Sequence, residues 1–223
     1  MKKQFYINSF LLLLLLLSGM QSFAHPVINY ALKDTPANEI FGLYLKMGIT
    51  HIIPLGFDHI LFVVSLCLLS NNIKTILWQA SAFTVAHSIT LALSIKGLIV
   101  APAPVVEPII ALSIMFVAVE NILLSELKAW RIVIVFCFGL VHGMGFASAL
   151  SQVGIPPNNF LLTVLSFNIG VEIGQAIVIL LVFGLIILPL GKKENYRKMV
   201  VYPISACIAL TALYWTVERI VGM

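Results

Sequence analysis

Six apolar stretches follow one another through most of this chain, at roughly residues 52–70, 74–97, 105–124, 131–151, 160–190 and 199–219. A hydrocarbon core ~30 Å thick takes about 20 apolar residues of helix to cross. The expected fold is therefore an all-α membrane protein, a bundle of about six transmembrane helices. The 223 residues are 61% hydrophobic and only 10% charged, against about 25% charged in soluble domains, which excludes a soluble fold. No basic patch of the kind that binds nucleic acid is present, so the expected surroundings are a lipid bilayer and no nucleic acid.

Residues 1–24 read as a cleaved signal peptide. Lys2 and Lys3 form its positive end, Leu11 to Leu17 its apolar run and Ser22-Phe23-Ala24 its cleavage site. The remaining boundaries are an extracytoplasmic arm over 25–49 and the six-helix domain over 50–223. Pro54 and Gly56 are expected in the first turns of the first span, where proline is tolerated. Cys67, Cys137 and Cys207 are scattered through apolar runs and read as small buried hydrophobes, not as a disulfide framework.

Loop charges orient the bundle. Lys74, Lys128, Arg131, Lys192, Lys193, Arg197 and Lys198 fall in the loops near 71–74, 125–131 and 191–198, whereas the opposite loops carry only Lys96. Positive charge favours the cytoplasmic side. The expectation is an integral protein of a bacterial cytoplasmic (inner) membrane with its N-terminus outside.

Against this apolar background the polar residues stand out. His51, Asp58 and His59 open the first span, His87 lies in the second, His142 in the fourth and Glu172 in the fifth. An ionisable group in hydrocarbon is costly unless paired, hydrated or metal-bound, so its default reading is functional. At ~1.5 Å per helical residue, His87 and His142 each lie ~13 Å from the outer ends of their spans, Glu172 ~18 Å, and Asp58 and His59 ~9–11 Å. One layer of the membrane thus holds them all. His51 and Asp58 share a face if the helix runs back to His51, while Asp58 and His59 point about 100° apart. Asn168, Glu172 and Gln175 form a polar stripe. Imidazole with carboxylate suits nickel, cobalt, zinc or ferrous iron, as cargo or as a bound ion. The expected metal ligands are His51, Asp58, His59, His87, His142 and Glu172, with His25, Glu107, Glu120, Asn168 and Gln175 as secondary candidates. Read singly, each has a structural alternative, such as a hydrogen-bonded core histidine or a helix-end pair. No catalytic residue is assigned.

Two further patterns bear on architecture. Glycines and alanines crowd the fourth and fifth spans, including Gly139, Gly143, Gly170 and Gly174, and allow close helix approach. Phe83-x-x-x-His87-x-x-x-x-Ala92 echoes Phe138-x-x-x-His142-x-x-x-x-Ala147, as a parallel repeat would.

The His51, Asp58 and His59 pattern resembles the HupE/UreJ family of small membrane proteins, in which a His, a short gap and Asp-His mark the first span. The family's later Phe-His-Gly motif, followed by small residues and a Glu, is matched in part by Val141-His142-Gly143-Met144-Gly145, with Val in place of Phe and no Glu within the motif, Glu172 lying in the next span instead. The resemblance covers most of the mature chain and looks closest to a divergent branch. Its association with hydrogenase and urease systems implies a nickel permease. Three functions remain open on the residues alone: a secondary transporter for a divalent transition metal such as nickel or cobalt, an intramembrane metalloenzyme, and a non-catalytic accessory protein for metalloenzyme assembly. Homo-oligomerisation or a maturation partner is compatible with each.

Overall fold

A computed structural model describes residues 35–153 and 155–222. The signal-peptide segment and His25 lie outside the described residues. Seven helices account for nearly all of the rest, with no strand among the described residues. They are α1 (Ala37–Ile52), α2 (Phe57–Cys67), α3 (Ile73–Ile95), α4 (Ala103–Leu123), α5 (Arg131–Val153), α6 (Phe160–Leu190) and α7 (Arg197–Val221). Four of them, α3, α4, α6 and α7, are each long and apolar enough to cross a membrane. The pair α1 and α2 qualifies jointly, and α5 supplies a further apolar helix over Arg131–Ala147.

The first span differs from the expected continuous helix. It begins at Ala37, inside the segment read as an arm, and breaks between Ile53 and Gly56 with a bend of 66°. Pro54 therefore sits in the break and not in a first helical turn. Proline has no amide hydrogen and pushes the residue before it toward extended backbone. Ile53 is extended, at φ −122° and ψ 117°, and the Ile53–Pro54 bond is cis. In consequence His51 ends one half-helix and Asp58 and His59 begin the next, so His51 and Asp58 share no helix face.

Glycines set two close helix crossings. A Cβ on Gly48 of α1 would meet the Phe167 carbonyl oxygen and stand 2.9 Å from Gly170 Cα in α6. A Cβ on Gly143 of α5 would strike the His87 carbonyl oxygen and the Thr90 hydroxyl of α3. Successive contacts advance together along each pair, so α1 runs parallel to α6 and α3 parallel to α5. The echo between His87 and His142 is thus carried by parallel neighbours. The buried stripe of α1 is Ile40, Tyr44, Gly48 and Ile52, a four-residue spacing that faces α6.

The surface is inverted relative to a soluble protein. Trp78, Leu161, Leu185, Leu210 and Tyr214 are exposed, while His87, His142, Asn121 and Arg131 are buried. Large exposed apolar side chains on all sides suit lipid contact. Of the cysteines, Cys67 is buried, Cys207 is partly covered and Cys137 is exposed, so only the first fits the expected core role. One end of the bundle gathers the loops that carry most of the positive charge: Asn71 donates to the Gly191 carbonyl at 3.0 Å, and Arg197 to the Asn121 carbonyl at 3.1 Å. At the other end Lys96 stands 4.7 Å over the ring of Phe160.

Candidate metal centre

The break in the first span is where the histidines meet. His51 comes from the last turn of α1, His59 from the first turn of α2 and His87 from the middle of α3. One ring nitrogen from each lies within 4.8 Å of the other two. Some point therefore stands within about 2.8 Å of all three donors, and bonds of about 2.0–2.1 Å, usual for a transition metal on imidazole, need inward movement of less than ~1 Å each. Side-chain rotation supplies that.

His142 of α5 lies beside the trio, its ring 5.0 Å from that of His59. Phenylalanines wall the group. Phe146 and Phe167 pack on His51 at 3.9 and 5.5 Å, Phe83 lies 4.9 Å from His142 and Phe62 5.5 Å from it. His59, His87 and His142 are 7%, 0% and 1% exposed, so polar atoms here are cut off from bulk water.

Hydrogen bonds decide which nitrogens are available. The Asn168 amide donates to the Val164 carbonyl at 2.8 Å, which leaves its Oδ1 to accept from Nδ1 of His87 at 3.3 Å. His87 then carries its proton on Nδ1 and a lone pair on Nε2, a buried atom with no partner. The same logic holds for His142. The Ser113 hydroxyl donates to the Ile110 carbonyl at 2.7 Å and accepts from Nε2 of His142 at 2.9 Å. The lone pair of His142 therefore sits on Nδ1, again buried and unpartnered, as is Nε2 of His59. A second partner on the far ring nitrogen fixes tautomer and orientation in metal-binding histidines. Buried imidazole nitrogens left without a partner are costly unless something binds them.

The acidic candidates sit elsewhere. The carboxylate of Asp58 is held by Arg219 of α7, at 3.0 Å from Oδ1 and 2.9 Å from Oδ2. Glu172 accepts from the Ser81 hydroxyl at 2.6 Å and keeps its Oε2 buried without a partner. Gln175 accepts from Thr84 at 3.3 Å, so Ser81, Thr84 and His87 of α3 each meet a polar residue of the α6 stripe. Glu120 lies 3.2 Å from Arg131 at the basic end of the bundle, and the backbone carbonyl of Glu107 accepts from Arg219 at 3.0 Å.

Sequence reasoning missed Ser113 and Arg219. A lone serine in an apolar helix carries no signal. Arg219 does carry one, since a charge near the end of an otherwise apolar span asks for a partner. The arrangement can present several neutral imidazoles to one cation inside a dry, aromatic-walled space. No curated protein and no solved structure matches the chain. A family model described as HupE / UreJ protein matches residues 28–219.

Proposed function

The chain belongs to the HupE/UreJ family, and from that premise we propose that it is a secondary transporter for a divalent transition-metal ion, nickel or cobalt. The observation that carries this reading is the convergence of His51 and His59, on either side of the break in the first span, with His87 of the next helix. Transporter sites are commonly built where a discontinuous helix leaves two half-helices that can move separately. A donor set dominated by imidazole nitrogen favours transition metals over magnesium and calcium, which take oxygen. The choice of nickel or cobalt rests on the family's association with hydrogenase and urease systems.

In this proposal His51, His59 and His87 bind the ion and His142 offers a fourth nitrogen through Nδ1. Asp58 and Glu172 are the carboxylates that the ion meets on its way in and out. The Phe62, Phe83, Phe146 and Phe167 rings exclude water and strengthen each ion–nitrogen interaction. The mature N-terminus lies outside and the Lys192 to Lys198 loop inside the cytoplasmic membrane, as the charge asymmetry favours. The chain holds no nucleotide-binding motif of its own, so the driving force comes from the membrane potential, a proton gradient or a partner protein.

Uptake of radiolabelled Ni²⁺ and Co²⁺ by proteoliposomes tests the reading. Wild-type protein should load the vesicles under an inside-negative potential, and His59→Ala should not. Equal uptake by wild type and a His51→Ala/His59→Ala/His87→Ala variant would overturn the assignment. Labelling of a cysteine introduced at position 195 from outside intact cells would overturn the orientation.

A further inference from the structure

The two ends of the short helix α2 are anchored in different ways. At its far end the Ser65 carbonyl accepts from Asn121 at 2.8 Å and from Arg131 at 3.3 Å. Arg131 in turn pairs with Glu120, the two side chains being 1% and 5% exposed. At its near end Asp58 takes both short contacts from one nitrogen of Arg219, whose other nitrogen donates to the Glu107 carbonyl at 3.0 Å. The guanidinium also lies 5.5 Å from the ring of Trp215. Arg219 thus ties the first turn of α2, the second turn of α4 and the last turn of α7 at one point, through a residue next in sequence to His59.

This near-end pair is open where the far-end pair is closed. The side chains of Arg219 and Asp58 are 21% and 26% exposed. Charged groups do not turn such area toward hydrocarbon, so the exposed side faces water or headgroups. An ion pair open to water is weakly held and exchanges readily with other ions, whereas a buried pair resists separation. Ahead of Asp58 lies the break at Ile53 to Gly56, so a short turn, in which the Leu55 and Gly56 amides donate to the Thr50 and Ile52 carbonyls, and not continuous helix, joins the near end of α2 to α1. The far end is therefore the pivot and the near end the part that can swing.

We propose that Arg219 controls access to the histidine site: its guanidinium occupies Asp58 in the closed form, and an entering divalent cation displaces it. The ion carries twice the charge of Arg219 and coordinates carboxylate oxygen directly, so it competes for Asp58 on contact. Release of Arg219 frees the start of α2, and His59, one residue on, moves with it. The proposal rests on the metal-transport reading and adds to it a residue outside the histidine group.

The test uses full-length protein in proteoliposomes with Ni²⁺ as the probe. If the open form of the wild type is about 10% populated, Arg219→Gln should lower the half-saturating Ni²⁺ concentration by about tenfold. Arg219→Lys, which keeps charge but loses the two-oxygen contact, should fall between. The exchange Asp58→Arg/Arg219→Asp, which removes the carboxylate from the start of α2, should take up less Ni²⁺ than wild type. An unchanged or higher half-saturating concentration in Arg219→Gln, or full uptake by the exchange variant, would mean that the pair is only a structural tie. A measurement on wild type guards against misfolded variants. Modification of Arg219 by phenylglyoxal, followed by peptide mass spectrometry, should accelerate when Ni²⁺ is added. Unaltered or slower modification overturns the gate. Ni²⁺ binding to the same wild-type sample, compared with His59→Ala protein to isolate the His59-dependent part, separates the two ideas. If it is present while Arg219 stays inert, only the gate fails. If it is absent, gate and transport reading fail together.

Discussion

Replacing Asn168 by Leu keeps the volume of the side chain and removes the acceptor that holds His87 Nδ1. In the structure that contact is 3.3 Å long, between neutral groups, and buried. Its length lies just beyond the usual range of about 2.7–3.2 Å for N–H···O, which marks a weak hydrogen bond. Partners behind metal-binding histidines are typically worth 10–100-fold in affinity. The weak geometry points to the low end, about tenfold, or ~1.4 kcal/mol. Two effects combine in the variant. The Nδ1 proton loses its buried partner, and the ring gains access to the tautomer that directs a proton, not a lone pair, at the site. The carboxylate of Asn168→Asp still accepts from Nδ1, so that variant should stay within about threefold of wild type. Competition titration of Ni²⁺ against a chromophoric chelator in detergent reads both, with thermal unfolding as the control for fold. Wild-type affinity in Asn168→Leu, in a preparation where His87→Ala abolishes binding, would refute the claim that Asn168 sets the ligating nitrogen.

Other expectations follow from the same geometry. Ser113→Ala should weaken Ni²⁺ binding less than Asn168→Leu, because His142 lies beside the three-histidine group and not within it; an equal or larger loss would make His142 a principal ligand. Ni²⁺ at a hundred times its dissociation constant should stabilise wild-type protein by ~2.7 kcal/mol, seen as a raised unfolding temperature that the triple histidine variant lacks. Gly48→Leu should destabilise by at least ~1–3 kcal/mol, since its Cβ alone meets the Phe167 carbonyl and the rest of the side chain has no room beside Gly170; an unchanged unfolding temperature would contradict that crossing. Arg131→Met should cost about 3–5 kcal/mol by stranding Glu120, and Glu120→Leu added to it should recover much of the loss in the same unfolding assay.

What the sequence settles by itself is the medium and the inventory. Hydropathy places apolar helices to within a few residues over most of the chain because lipid exposure makes nearly every position of a span apolar. The cost of charge in hydrocarbon then marks His51, Asp58, His59, His87, His142 and Glu172 without any knowledge of their neighbours. Partnership is a different matter. Asp58 and His59 are adjacent, and only packing decides that one meets Arg219, 161 residues away, while the other meets His51, His87 and His142. The helix break belongs to the same class: Pro54 and Gly56 permit either a helix start or an interruption, and the choice falls to the docking of α1 along α6 at Gly48 and Gly170. The available nitrogen on each histidine depends on Asn168 and Ser113, which come from other helices. Local chemistry travels with the residue, but convergence, tautomer and ion pairing are properties of contacts between segments, and those exist only once the helices have packed.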